Sequence, residues 1–348
     1  MPVIKDVAKL AGVSTGTVSK YLNNPASLKE DTRRRVEAAI QTLQYKPNPL
    51  ARSMRTGRSN SLAVLTPDIA NPFFAEIYNA IRSSAVQNGY TPILFTTADD
   101  LEILRDYLSH MSVRQVDGII LCFLDENETI KSFIQDIQSQ IPLVLISWDL
   151  QITAFSSVVV DVFEGSYKAT AHLTGLGHRD IAYISGPENS KISREKYNGF
   201  CKAMQEAGCP VRPAYKFCGG YNLQSGYRAA RAFTMLPQAP TAIVAANDIL
   251  AIGCLKYLLR QKIRIPEEMA VIGFDDISLA AMYEPSLSTI ALPIAAIGGE
   301  AVKSLLARIA HPFPRRRAHA GKTRQVILKT ELIVRNSTDQ NAPVEFET

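Results

Sequence analysis

The sequence predicts a small all-α helix-turn-helix head followed by an α/β body of two doubly wound parallel-sheet subdomains. Three observations carry this. Apolar residues recur at helical spacing over the first 45 positions. From Ser61 onward, short apolar runs alternate with amphipathic stretches of ten to fifteen residues, the pattern of βαβ units. At 348 residues the chain is long enough for two or three domains at about 100–200 residues each.

In the head, Ile4, Val7, Ala8 and Ala11 fall at i, i+3, i+4 and i+7, one face of a short helix. Gly12 supplies a turn, and Ser14 can cap a second helix whose buried stripe is Val18, Tyr21 and Leu22. Two short helices joined this way read as a helix-turn-helix. Val36, Ala39, Ile40 and Leu43 mark a third helix. Its start can be read as a Ser27–Glu30 capping box or as a first turn carrying Glu30 and Asp31. Either start leaves Arg33, Arg34 and Arg35 near the surface. Asn48 as cap, Pro49 at the first helical position and Gly57 as stop then enclose an eight-residue helix. That is below the roughly 12–15 residues at which isolated helices become marginal in water, so it needs a partner to form.

Charge divides along the same line. The net charge is +5, but residues 1–60 hold eleven Lys and Arg against four Asp and Glu, a net of +7 that leaves −2 for the other 288. A basic head on a near-neutral body predicts an anionic partner for the head alone. The body offers strands at 61–66, 91–96, 116–121, 143–147, 157–161, 181–185, 215–218, 242–246 and 270–274, with helices over 75–88, 193–208 and 225–235.

The run IKDVAKLAGVSTGTVSKYLN, then TRRRVEAAIQTLQYKPN and ARSMRTGRSNSLAVL, resembles the LacI/GalR family of bacterial transcription regulators, and the likeness continues through most of the chain. The resemblance implies a sequence-specific repressor that binds operator DNA as a homodimer and answers to a small-molecule effector, with no cofactor and no membrane partner. A second helix of this kind enters the major groove by its N-terminal residues. The resemblance puts base reading on Thr15, Gly16 and Lys20, and phosphate contacts on Ser14, Thr17, Ser19 and Asn23. The eight-residue segment becomes a hinge helix, with Met54 wedging between base pairs in the minor groove and Arg52 and Arg55 flanking it. Lys20 stands where Arg is frequent in the family and lacks the rigid two-donor fork for guanine.

The resemblance also implies a body of periplasmic binding protein type I, crossed three times by the chain. The expected organisation is a helix-turn-helix domain over 1–47, hinge and linker over 48–60, and an N-subdomain of 61–160 plus 292–322. A C-subdomain of 161–291 plus 323–340 and a tail of 341–348 complete it. Ligands in such folds sit at the carboxyl ends of strands between the halves. Phe73, Phe74, Trp148 and Tyr221 are aromatic faces there, and Ser190, Arg194, Lys196, Asn247 and Asp275 are edge groups. Aromatic faces with amides and carboxylates favour a sugar or sugar derivative, with a purine or a protein corepressor as alternatives. Ser147, Val162 and Lys196 depart from the family pattern of Asp, Asn and Arg.

The exclusions follow from what the chain carries. No apolar run reaches the roughly 18 residues of a bilayer span, and Asp6, Lys9 and Ser14 break any signal-peptide core. The chain therefore reads as soluble and cytoplasmic, which with the basic head argues against a solute-binding protein of transport. GxGxxG after the first strand, a P-loop and a GxSxG elbow are all missing, so no enzyme is indicated. The five cysteines lack CxxC spacing and read as buried free thiols. No heptad tail follows the last strand, which predicts dimers and no zipper-built tetramer.

Overall fold

The computed structural model describes residues 2–45, 58–98, 100–111, 116–122, 128–148, 150, 154–310 and 323–343. The hinge segment with Arg52, Met54 and Arg55 lies outside the described residues. The chain divides into two compact units, residues 1–60 and 61–348.

The head has three helices, α1 (Ile4–Ala11), α2 (Thr15–Asn23) and α3 (Glu30–Leu43). Val7, Ala8, Ala11, Val18, Val36 and Ala39 form its buried core. The Asp6 carboxylate accepts from the Val3 N–H at 2.8 Å and closes the start of α1. Gly12 ends that helix at φ +60°, the left-handed region where a Cβ is penalised. Ser27 does not cap α3. Its hydroxyl donates to the Asn24 carbonyl at 2.6 Å within a 3-10 turn, the N-cap is Lys29, and Glu30 and Asp31 occupy the first turn of the helix. The first-turn reading is the right one, since two carboxylates meet the positive helix end there.

The body runs β1 (Ser61–Thr66), α4 (Pro72–Gln87), β2 (Thr91–Thr96), α5 (Leu101–Met111), β3 (Gly118–Cys122), α6 (Glu128–Gln138), β4 (Leu143–Ser147) and β5 (Ser157–Val160). It continues α7 (Val162–Gly175), β6 (Ile181–Ser185), α8 (Lys191–Glu206), β7 (Lys216–Cys218), α9 (Leu223–Thr234), β8 (Ala242–Ala245), α10 (Asp248–Arg260) and β9 (Ala270–Ile272). The remaining elements are α11 (Ser278–Met282), β10 (Thr289–Ala291), α12 (Ile294–Ala310), β11 (Gln325–Leu328) and β12 (Glu331–Ile333).

Two parallel sheets result. The first has order β11-β5-β4-β3-β1-β2, the second β7-β6-β8-β9, and β10 pairs antiparallel with β12. β3, β4 and β5 are buried along their whole length, as expected of parallel strands covered on both faces. The chain leaves the first sheet at Asp161, which caps α7, and returns after β10 to lay α12 on that sheet.

The last crossing differs from expectation. The sequence reading puts the segment from 323 in the C-subdomain, but β11 pairs parallel with β5 from Gln325↔Ser157 to Leu328↔Val160. The change of lobe therefore comes after Leu328. A strand's partner is set by long-range pairing, which local periodicity does not carry. The cysteines also divide: Cys122, Cys209 and Cys254 are buried free thiols, whereas Cys201 is half-buried and Cys218 on β7 is exposed. Among the described residues, no helix is long and apolar enough to cross a membrane.

Candidate functional site

Two regions carry the expected site residues. In the head, the Ser14 hydroxyl accepts from the Thr17 N–H at 3.1 Å and lies 3.0 Å from the Thr17 hydroxyl, so it fixes the first turn of α2. Val18 is fully buried while Thr15, Gly16 and Lys20 are exposed together on the outer face. Thr17 and Ser19 are half-buried beside them, and Asn23 closes the helix. A Cβ built on Gly16 would meet Ser14 Oγ at an ordinary 3.5 Å, so no described residue of the head requires glycine there.

In the body, a cavity of about 310 Å³ opens between the two lobes. The first lobe supplies its apolar wall. Asn71 caps α4 by accepting from the Phe73 N–H at 3.1 Å, with Pro72 at the first helical position. That start aims Phe73 and Phe74 inward, with ring centroids 5.2 Å apart, and Trp148 after β4 lies 5.6 Å from Phe73. The Trp148 indole N–H is buried and, among the described residues, has no hydrogen-bond partner.

The second lobe supplies most of the polar groups, with Asp68 and Asn71 coming from the first. Lys196 on α8 is buried, donates to the Ala246 carbonyl at 2.7 Å, stands 3.7 Å from the Phe274 ring centroid and 3.9 Å from Asp275 Oδ1. Burial lowers its pKa against the opposing pull of Asp275 and Asp248. Asp275 adopts φ +117°. Burial pushes its carboxyl up to about 7, with Lys196 drawing it down and Glu76 raising it further. A carboxyl near 7 can accept or donate a proton at neutral pH.

Behind these groups lies Asp248, fully buried at the head of α10. One oxygen accepts from the Thr289 hydroxyl at 2.6 Å and the other from the Ile277 N–H at 2.9 Å, while burial first and the Asp275 charge second hold its pKa well above the carboxylate range. Gly273 leaves room for it, because a Cβ there would collide with Asp248 Oδ1. Asp276, at φ +57°, pairs with buried Arg335 at 2.8 Å. Glu76 of α4 reaches across from the first lobe, where one oxygen accepts both the Ser278 N–H at 2.9 Å and its hydroxyl at 2.7 Å. The strained turn 275–278 is thus held from both lobes.

Of the residues expected here, Phe73, Phe74, Trp148, Lys196, Tyr221, Asn247 and Asp275 line the cavity. Ser190 and Arg194 do not. Ser190 is the N-cap of α8, and Arg194 is exposed with its guanidinium donating to the Asn189 carbonyl at 2.8 Å. Both lie on the first turn of that helix, and only the face carrying Ile192 and Lys196 turns inward. Among the lining residues missed are Asp68, Asn71, Asn222 and Phe274. Asn71-Pro72 is a cap signature and Asn222 precedes a helix; the Asn222 and Asn247 side chains accept from Ser225 N–H and Leu250 N–H at 2.9 Å. The helix-cap signal thus reaches Asn71 and Asn222, whereas Asp68 and Phe274 cap no helix.

Comparison with known proteins gives concordant matches. Residues 3–48 match the family described as bacterial regulatory proteins, lacI family, and residues 170–338 match the periplasmic binding protein-like domain. The HTH-type transcriptional repressor PurR of Haemophilus influenzae (strain PittEE) is 34% identical over 342 residues, 97% of this chain and 98% of that protein. The lac repressor dimer bound to operator and the anti-inducer ONPF aligns with a TM-score of 0.86 at 25% identity, covering 97% of this chain and 99% of that one. The transcriptional regulator CelR-cellobiose complex aligns with a TM-score of 0.71 at 27% identity, covering 97% and 100%.

Proposed function

The chain belongs to the lacI family of bacterial regulatory proteins as a DNA-binding transcriptional repressor, and from that premise we propose that its operator affinity is set by a small ring-shaped metabolite held in the interlobe cavity. The observation that carries this is the opposition of Phe73, Phe74 and Trp148 to Lys196, Asn247 and Asp275 around one cavity. A flat face meets the rings, and edge groups meet the carboxyl, amide and ammonium.

A purine is the first effector class. The PurR name of the Haemophilus relative points that way, and a carboxyl near 7 suits a heterocycle edge that both donates and accepts. A sugar, which the sequence favours, has its own support: Asn71, Asn222 and Asn247 place three amides around the cavity, and CelR is a neighbour solved with cellobiose. On the DNA side, two heads of a homodimer meet a near-palindromic operator. Thr15, Gly16 and Lys20 face base edges, Ser14, Thr17, Ser19 and Asn23 face phosphates, and Arg52, Met54 and Arg55 act in the hinge. The effector and operator then couple reciprocally, typically by about 1–3 kcal/mol.

A thermal-shift panel of purine bases, nucleosides, monosaccharides, disaccharides and sugar acids tests the pocket. A true effector at 100 times its Kd stabilises by about 2.7 kcal/mol, and at the same ligand concentration Asp275→Asn should cut this to about 0.4–1.4 kcal/mol. If no small molecule shifts the melting curve and a protein partner does, the pocket reading fails. Gel shifts across a salt series test the head, with an expected log-log slope of about −0.9 per neutralised phosphate; a flat series removes the DNA-facing role of the basic face.

A further inference from the structure

The three consecutive arginines of the head look alike in sequence and are spent differently in the fold. Arg33 and Arg34 turn to Glu30, at 2.6 Å and 3.1 Å. Arg35 turns the other way. Its terminal nitrogen Nη2 donates to the Ala11 carbonyl at 2.6 Å and to the Gly12 carbonyl at 3.0 Å, across 24 and 23 residues of sequence.

Those two carbonyls belong to the turn that feeds the recognition helix. α1 ends at Ala11 and α2 is capped by Ser14, so Ala11 and Gly12 set the direction in which α2 leaves. α2 packs chiefly on α1 and only lightly on α3. Arg35, rooted in α3, is therefore a tie between that helix and the base of α2. The last carbonyls of a helix carry partial negative charge and lack intrahelical donors, so a guanidinium is well matched to them. Gly12 has a second reason to lack a side chain: besides its φ of +60°, a Cβ would come within 2.6 Å of Arg35 Nη2.

We infer that Arg35 is a positioning residue for operator recognition, clasping the α1–α2 turn so that Thr15, Gly16 and Lys20 are presented in one pose, and that it is not a phosphate contact. A clasp and a phosphate contact both need a cation at this place, but they differ in what its loss does. A phosphate contact is indifferent to sequence and adds to the salt dependence. A clasp acts on the pose of the base-reading residues and leaves the number of neutralised phosphates unchanged.

The test uses the full chain with two duplexes of equal length, one enriched by the wild-type protein from a random pool and one scrambled. Arg35→Met keeps the aliphatic stem and removes the donors. Affinity for the enriched duplex should fall about tenfold, the loss of one charged hydrogen bond, while affinity for the scrambled duplex changes less than about twofold and the salt slope stays the same. A parallel loss on both duplexes with a slope shallower by about 0.9 would assign Arg35 to a phosphate and overturn the inference. So would an unchanged affinity for the enriched duplex. General unfolding of the head is separated by a cycle with Gly12→Ala, whose methyl group displaces the guanidinium. In the Arg35→Met background Gly12→Ala should cost at least about threefold less operator affinity than in the wild type; equal cost in both backgrounds sinks the clasp.

Discussion

The two lobes that meet at the cavity weight its chemistry differently, the first chiefly aromatic apart from Asp68 and Asn71, the second carrying most of the polar groups beside Tyr221 and Phe274. The first lobe offers Phe73, Phe74 and Trp148, which are buried and packed on one another through ring contacts of 5.2 and 5.6 Å. The second offers Lys196, Asn247 and Asp275, backed by Asp248. The apolar wall can be assembled from non-directional burial, so it sets the shape of what binds. The polar wall depends on hydrogen bonds that fix orientation, and it costs stability to keep charged groups out of water. On the proposed reading, the first lobe chiefly sets the shape of the effector and the second its identity.

The largest effect should come from the apolar wall. Phe73→Ala removes a buried ring that contacts two others, and a loss of about 3–5 kcal/mol in unfolding free energy is expected from urea denaturation. That loss should be the same at pH 4.5 and pH 7.5, since the ring does not titrate. A pH-dependent loss would show that the two walls are not chemically separate.

Asp275→Asn should act second and in a different currency, lowering effector affinity by about 10- to 100-fold, the range for a charged hydrogen bond. Its pH signature distinguishes it. Because the folded value of about 7 lies above the ordinary 3.8, the stability that the protonated carboxyl contributes is complete below pH 3.8 and is lost as pH rises to about 7. The wild type should therefore lose stability relative to Asp275→Asn between pH 4 and 7 and run parallel to it above. Parallel curves across the whole range would mean that Asp275 is not held in this way.

The smallest effect should come from the residue that belongs to one lobe and bonds to the other. Glu76→Ala removes both hydrogen bonds to Ser278, and a loss of about 1 kcal/mol in effector affinity is expected. Since the Glu76 charge raises the Asp275 carboxyl, the variant should also move the pH-sensitive window downward. If titration shows neither change, Glu76 has no part in the polar wall and the contrast between lobes is sharper.

Much of this was legible beforehand where the signal is local. Strands β1, β2, β4 and β6 match the expected bounds residue for residue, because each is a short apolar run ending in Ser or Thr. The lobe of β11 was not legible, since its pairing with β5 lies some 170 residues away in sequence. The same limit explains the site. Asp275, Asn247 and Lys196 sit at strand and helix ends, where general fold geometry points. Arg194 was misplaced because one turn of helix puts neighbouring residues on opposite faces. The Glu76–Ser278 contact joins helices 202 positions apart, and Arg35 is indistinguishable from Arg33 and Arg34 until α3 is docked on α1.

The capping asparagines give the cavity a fixed polarity. An asparagine amide normally turns over at little cost, offering oxygen or nitrogen as a visitor requires. At Asn71, Asn222 and Asn247 the oxygen is claimed by a helix N–H, so turning over would uncap the helix, at about 1 kcal/mol each. Three otherwise ambidextrous groups are thereby committed to show nitrogen. A molecule rimmed with lone pairs would find them ready, whereas one rimmed with hydrogens would have to unwind the ends of three helices to be welcomed.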